Sequence, residues 1–154
     1  EVVRHAPVVS IVALQEPGKT TERGYQVVMV KQYRAPVEEE VLELVAGHVD
    51  EGESPLEAAR RELREETGFA AEEWTELGTL YSSPGFTDER ATIFIARGLS
   101  HVGAELDAGE TLSLHFVPFT MALASIKSGE IRDAKSVAGL LWASFQLEYE
   151  QHRG

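Results

Sequence analysis

The chain contains no cysteine, which excludes disulfides, thiolate metal sites and a cysteine nucleophile together and leaves the redox compartment open. Positive charge is scarce as well. Fourteen Lys and Arg face 26 Asp and Glu, a formal net charge of −12. A general affinity for nucleic-acid backbone or anionic lipid is therefore disfavoured, because both need clustered cations. Long apolar runs are missing too. No stretch approaches the roughly 20 residues that cross a bilayer, and no basic segment followed by an apolar one opens the chain. The expectation is a soluble protein, cytoplasmic by default, with neither nucleic acid nor membrane as partner.

What is present suits one compact domain over residues 1–154: 154 residues, 43% of them hydrophobic, enough for a single core and little more. The first residue is Glu, and Glu1 to His5 already reads as extended, so an upstream segment is expected. Val8 to Leu14 and Tyr25 to Tyr33 are rich in β-branched residues, with turn chemistry between them, and read as a hairpin. A short strand, Val41 to Val45, then leads into a loop from Ala46 to Glu53. Further strands are expected at Trp74 to Ser82, Ala91 to Arg97 and Leu112 to Phe119, and helices at about Thr120 to Ser128 and Asp133 to Glu150. Strands and helices mix without regular alternation and without internal repeats, which favours an α+β fold over a doubly wound parallel sheet.

The sharpest boundary is Ser54-Pro55-Leu56-Glu57. It offers Ser as N-cap, Pro at the first helical position and Glu three residues after the cap, the pattern of a capping box. Leu56, Ala59 and Leu63 give the helix that follows an apolar stripe, and Gly68 is placed to close it in a left-handed C-cap. On its last turns stand Glu62, Glu65 and Glu66. At 100° per residue they share an arc of about 100°, and Glu62 and Glu66 form a like-charge i,i+4 pair near the helix C-terminus, where the macrodipole disfavours anions. An interleaved, solvated Arg/Glu face is the bland reading. A divalent cation would relieve both sources of repulsion, since carboxylate oxygens are hard ligands suited to Mg²⁺ or Mn²⁺.

From Gly47 the chain runs five residues to Glu53, seven more, and then Arg61-Glu62-Leu63-Arg64-Glu65-Glu66-Thr67-Gly68-Phe69. All nine constrained positions resemble the Nudix box of Nudix hydrolases, GX5EX7REUXEEXGU with U a bulky apolar residue. The resemblance implies a mixed β-sheet sandwiched between helices, with a loop-helix-loop that holds a divalent metal, Mg²⁺ or Mn²⁺, against a nucleoside diphosphate. It implies Glu62, Glu65 and Glu66 as metal ligands, with the backbone carbonyl of Ala46 as a fourth and Glu65 also within the catalytic machinery. It makes Arg61 and Glu53 a structural ion pair, and gives Gly47 and Gly68 to backbone geometry. A carboxylate outside the cluster would take the proton of the attacking water.

Ser83-Pro84-Gly85-Phe86-Thr87-Asp88-Glu89 resembles the SXGXXXE-type segment of the ADP-ribose pyrophosphatase subfamily. Lys31-Gln32-Tyr33-Arg34 and Ser128 to Lys135 are similar to other parts of that subfamily. The implied reaction is hydrolysis of ADP-ribose to AMP and ribose 5-phosphate. The wider alternatives are a general nucleoside diphosphate sugar pyrophosphatase and a non-catalytic nucleotide-binding module. Arg34 is the candidate phosphate clamp, against an ordinary exposed strand-end Arg. Glu89 would position a metal-bound water or the ribose, or merely cap the next strand, and Gly85 would approach substrate. Glu110 is the candidate general base, with Glu105 and Asp107 behind it. Two positions depart from the subfamily pattern: Val45 stands where Pro is usual, and His48 follows the box Gly. Tyr33, Phe86 and Trp142 could stack on adenine but read more simply as core, and the five His residues show no metal-ligand spacing. The resemblance further implies a homodimer, in which N-terminal strands and residues such as Arg34 complete the partner's site.

Overall fold

The computed structural model describes residues 3–18, 24–103 and 112–153. Among these residues the chain forms strands β1 (Val8–Gln15), β2 (Gln26–Arg34) and β3 (Glu39–His48), helix α1 (Pro55–Thr67), strands β4 (Phe69–Tyr81), β5 (Arg90–His101) and β6 (Ser113–Pro118), then helices α2 (Phe119–Ser128) and α3 (Ala134–Arg153). A short 3-10 turn, Ala35–Val37, separates β2 from β3. The sheet has six strands in the order β4-β5-β1-β3-β2-β6. The β1–β5 pair is parallel and every other pair antiparallel. This is the mixed α+β sheet expected from the sequence.

The central strands alternate between two cores because both of their faces are covered. Val8, Val12 and Leu14 of β1 join Val27, Met29 and Ile93 beneath Phe119 and Ala122 of α2 and Leu140 and Ala143 of α3. Val9, Ile11 and Ala13 point the other way, with Val28, Val45 and Phe94, against Ala58, Ala59 and Leu63 of α1. The sheet is thus sandwiched between α1 and the α2/α3 pair. Close approach of α3 depends on Gly139, where an added Cβ would lie 2.8 Å from the Leu44 side chain.

Three expectations need correcting. The first two strands pair with each other only at the turn end, Leu14 with Val27 and Gln15 with Gln26. Beyond that point β3 lies between them, its residues 39–44 on β2 and its residues 45–48 on β1. A hairpin reading ranks neighbours in sequence first, whereas here β3 offers apolar residues to both flanking strands. Secondly, Ala46, Gly47 and His48 belong to β3 and not to the loop, their backbone held by pairing to Ser10, Val9 and Val8. Thirdly, β4 starts directly after the helix at Phe69, five residues before the expected Trp74. It pairs with β5 through to Tyr81, with a bulge at Glu76/Gly78.

Candidate active site

The α1 N-terminus is built as its sequence predicts. Ser54 accepts from the Glu57 amide at 3.1 Å while the Glu57 carboxylate accepts from the Ser54 amide at 3.1 Å, and Pro55 opens the first turn. At the other end Gly68 takes φ +77°, a conformation that glycine adopts without strain, and donates its amide to the Arg64 carbonyl. With both ends fixed, the register of α1 decides which side chains face β3.

Arg61 is the hub of that face. Its Nε donates to Glu53 Oε2 at 2.9 Å and its Nη2 to Glu53 Oε1 at 3.1 Å, a bidentate pair that ties the loop before the helix to its second turn. Nη2 also donates to the His48 carbonyl at 2.9 Å, and Nη1 to Glu62 at 2.7 Å and Glu65 at 3.2 Å. Hydrogen bonding to Glu53 raises the Arg61 pKa further above its usual range, against the effect of burial. In return Arg61, followed by the Asp50 amide, holds the Glu53 carboxyl below the usual carboxylate range. Glu62 behaves oppositely: burial pushes its pKa up and outweighs Arg61, with Glu65 and Asp50 adding to the rise.

The burial of Glu62 has a specific cause. Its carboxylate lies over the backbone of Gly47, where a Cβ would stand 2.1 Å from the Glu62 carboxyl carbon. Gly47 is therefore present for want of room, and its lack of a side chain is the cradle in which Glu62 rests. Glu62, Glu66, Ala46 and Gly47 line a cavity of about 770 Å³ together with Arg34, Glu89 and Lys135. Glu65 is 54% exposed at its side chain and lines a second cavity, beside Arg60 and Trp74. Among the described residues no three His, Asp or Glu side chains gather closely enough to enclose an ion. The donor set is nonetheless of the right chemistry for a hard divalent cation, oxygen donors on a wall beside a cradle that a Cβ would fill.

Arg34 ends β2 at this cavity, and β3 answers it. Its Nε donates to Glu43 Oε2 at 2.7 Å and its Nη2 to Glu43 Oε1 at 2.9 Å. Glu43 is 3% exposed, a depth at which a carboxylate needs a partner. The Glu43 hydrogen bond raises the Arg34 pKa against the effect of burial, with Glu43, Asp133 and Glu66 adding Coulombic support. The α3 N-terminus forms a neighbouring wall: Asp133 accepts from the Ser136 amide at 3.1 Å and the Ser136 hydroxyl at 2.6 Å, and that hydroxyl accepts from the Leu44 amide at 2.9 Å. The α3 cap is thereby stitched to β3 next to Glu43.

The segment from Ser83 to Glu89 is held by the N-terminal residues. Val3 donates its amide to the Phe86 carbonyl at 2.6 Å and accepts from the Asp88 amide at 3.2 Å, and the His5 amide donates to Asp88 Oδ1 at 2.8 Å. Glu89 accepts from the Ser82 hydroxyl through Oε1 and stands 2.7 Å from His5 Nδ1 through Oε2. The His5 ring lies 5.1 Å from the His48 ring, and both residues line the cavity with Glu89.

Of the residues that the sequence singles out, the cavity collects Arg34, Ala46, Gly47, Glu62, Glu66 and Glu89. Gly85 lies outside that lining, in a segment where an added Cβ would meet nothing within 4 Å. Glu105, Asp107 and Glu110 lie outside the described residues. Trp142 packs in the core over Gly78, whereas Tyr33 and Phe86 are exposed. Sequence reasoning missed Glu43 and His5. An acid alternating with apolar neighbours in a strand was the available signal for Glu43; His5 carried none, being paired with Glu89 across more than 80 residues of chain.

Comparison with known proteins bears on this arrangement. The family model described as NUDIX domain matches residues 4–140. The chain is 38% identical over 138 residues to the ADP-ribose pyrophosphatase of Bacillus subtilis (strain 168), covering 88% of this chain and 71% of that protein. It is 37% identical over 148 residues to the methanol dehydrogenase activator of Bacillus methanolicus, covering 95% and 76% respectively. The crystal structure of an ADP compounds hydrolase superposes with a TM-score of 0.82 at 26% identity, over 94% of this chain and 74% of that one.

Proposed function

The chain belongs to the NUDIX domain family, and from that premise we propose that it hydrolyses the diphosphate of ADP-ribose. Water adds across the P–O–P bridge, giving AMP and ribose 5-phosphate. The carrying observation is the packing of Glu62 on Gly47, braced by the Arg61–Glu53 pair, in a cavity that Arg34 and Glu89 also line. The pyrophosphatase relative supports the substrate.

Ala46 through its carbonyl, with Glu62, Glu65 and Glu66, would hold Mg²⁺ or Mn²⁺. When bound, such an ion neutralises diphosphate charge and lowers the pKa of a bound water. The protein's own groups do the rest. Arg61 keeps the Glu62 and Glu65 carboxylates in place. Arg34, oriented by Glu43, offers its guanidinium to a phosphate. Glu89 orients the substrate, and Gly85 keeps the loop before it free of side-chain bulk. Glu110 is our candidate for accepting the water proton. We further propose a cytoplasmic homodimer. Among the described residues no helix is long and apolar enough to cross a membrane, and an exposed stripe of Leu141, Phe145 and Tyr149 on α3 supports a second copy as partner.

The test is incubation with ADP-ribose and Mg²⁺, with and without chelator, and separation of the products. AMP plus ribose 5-phosphate only in the presence of metal is expected; an intact substrate overturns the reading. The structural neighbour, an ADP compounds hydrolase, favours a wider nucleotide-sugar hydrolase as the second reading. Equal kcat/KM for ADP-ribose, ADP-glucose and GDP-mannose would select it. Saturable binding without turnover under any divalent ion would select a binding module.

A further inference from the structure

The N-terminal residues meet the cavity at one side chain. Residues 3 to 5 lie along the segment before β5, joined to it by the Val3, Asp88 and His5 backbone contacts, with a bridge between Val3 and Thr87 and an ion pair from Arg4 to Asp88 at 3.6 Å. Pro7 continues the attachment by accepting from the Val49 amide at 2.8 Å, in the loop before α1. This segment therefore spans both loops that frame the cavity and delivers the His5 ring between them.

The hydrogen bonds of His5 determine where its proton lies. Nδ1 stands 2.7 Å from Glu89 Oε2 and 2.8 Å from the Ala6 carbonyl. Both neighbours are acceptors, so Nδ1 must carry the hydrogen. Glu89 then has one oxygen on the Ser82 hydroxyl and the other on His5, and its carboxylate is 18% exposed. A carboxylate fixed at both oxygens has little freedom to turn, yet each oxygen retains a lone pair for one further donor. Phosphate oxygens at neutral pH are acceptors and cannot supply that donor; a sugar hydroxyl or a bound water can, and only the hydroxyl depends on the second sugar of the substrate.

We infer that His5 is a positioning residue that fixes Glu89 as a hydroxyl acceptor for the distal sugar of the substrate, and so contributes to choosing a sugar-bearing diphosphate. The inference rests on the proposed hydrolysis of a nucleoside diphosphate sugar and deepens it. On this reading Glu89 meets the sugar end while the groups proposed on α1 serve the diphosphate end. The His48 ring packs beside the imidazole, its centroid 5.1 Å away and its plane tilted by 39°.

The experiment compares wild type, His5→Phe and His5→Asn on two substrates, ADP-ribose and the β-methyl ester of ADP, which retains the diphosphate but lacks the second sugar. His5→Phe keeps a ring and removes the donor; His5→Asn returns an N–H near the Nδ1 position. His5→Phe is expected to raise KM for ADP-ribose about tenfold with kcat changed less, to leave the methyl ester unaffected, and to be rescued by His5→Asn to within about threefold. Wild-type kinetics in His5→Phe, or equal losses on both substrates, would overturn the inference. A nitrogen NMR measurement of the His5 tautomer in the metal-free protein stands apart from activity. A proton on Nδ1 supports the pairing, and an unprotonated Nδ1 refutes it. Should the wild type leave ADP-ribose intact, the functional reading fails by itself, and the tautomer still decides the role of His5.

Discussion

A single methyl group on Gly47 would collide with the Glu62 carboxyl, and the residue that must yield is the one proposed to hold metal. Gly47→Ala is therefore expected to leave β3 folded, because φ at this position is not in the left-handed region, while kcat/KM falls about 10–100-fold, the usual cost of disturbing a metal ligand's support. Full activity with unchanged metal affinity would show that Glu62 packs on Gly47 without functional consequence. Arg34 allows stability and function to be separated in the same way. Removing it leaves Glu43 buried without its partner, so Arg34→Ala should lower both the denaturation midpoint and activity. In the double variant Arg34→Ala/Glu43→Gln the buried charge is gone, and the midpoint should recover while activity does not. Recovery of both would make Arg34 a structural residue only.

At the scale of elements, the loop before α1 and the helix act as one piece through the Glu53–Arg61 pair. Because the Glu53 pKa is lowered in the folded state, the stability it contributes is fully present above the ordinary carboxylate range and is lost as pH falls through its lowered value. Thermal midpoints of wild type and Glu53→Gln should therefore differ near neutral pH and converge in acid. A gap that widens on acidification would contradict the assignment. Here the sequence was most legible. The cap at Ser54, the glycine turn at Gly68 and the spacing of Glu62, Glu65 and Glu66 are local patterns, and local patterns survive reading without a structure. The partition of β3 between β1 and β2 was not legible, since both candidate pairings bury apolar residues and only the assembled sheet selects the register. The partners of Arg34 and Glu89 depended on that same assembly.

At the scale of the whole molecule, a net charge of −12 sets up a field that favours cations, and the proposed metal site is open to test through stability. Mg²⁺ binding to the folded state alone should raise the thermal midpoint in proportion to the logarithm of its concentration. Glu66→Gln should flatten that response while retaining a cooperative transition. An equal response in the variant would remove Glu66 from the ligand set.

The crossing of β3 from one neighbour to the other has a metric consequence. Glu43, which aims Arg34, and Gly47, which seats Glu62, are four residues apart on one continuous strand, a span of about 13 Å at the usual rise. No hinge lies between the arginine at one end and the carboxylate at the other. On the proposed reading, in which Arg34 and Glu62 flank the diphosphate, the two ends act as the jaws of a caliper whose separation is set by one strand, and a change of gauge would come from new side chains on it.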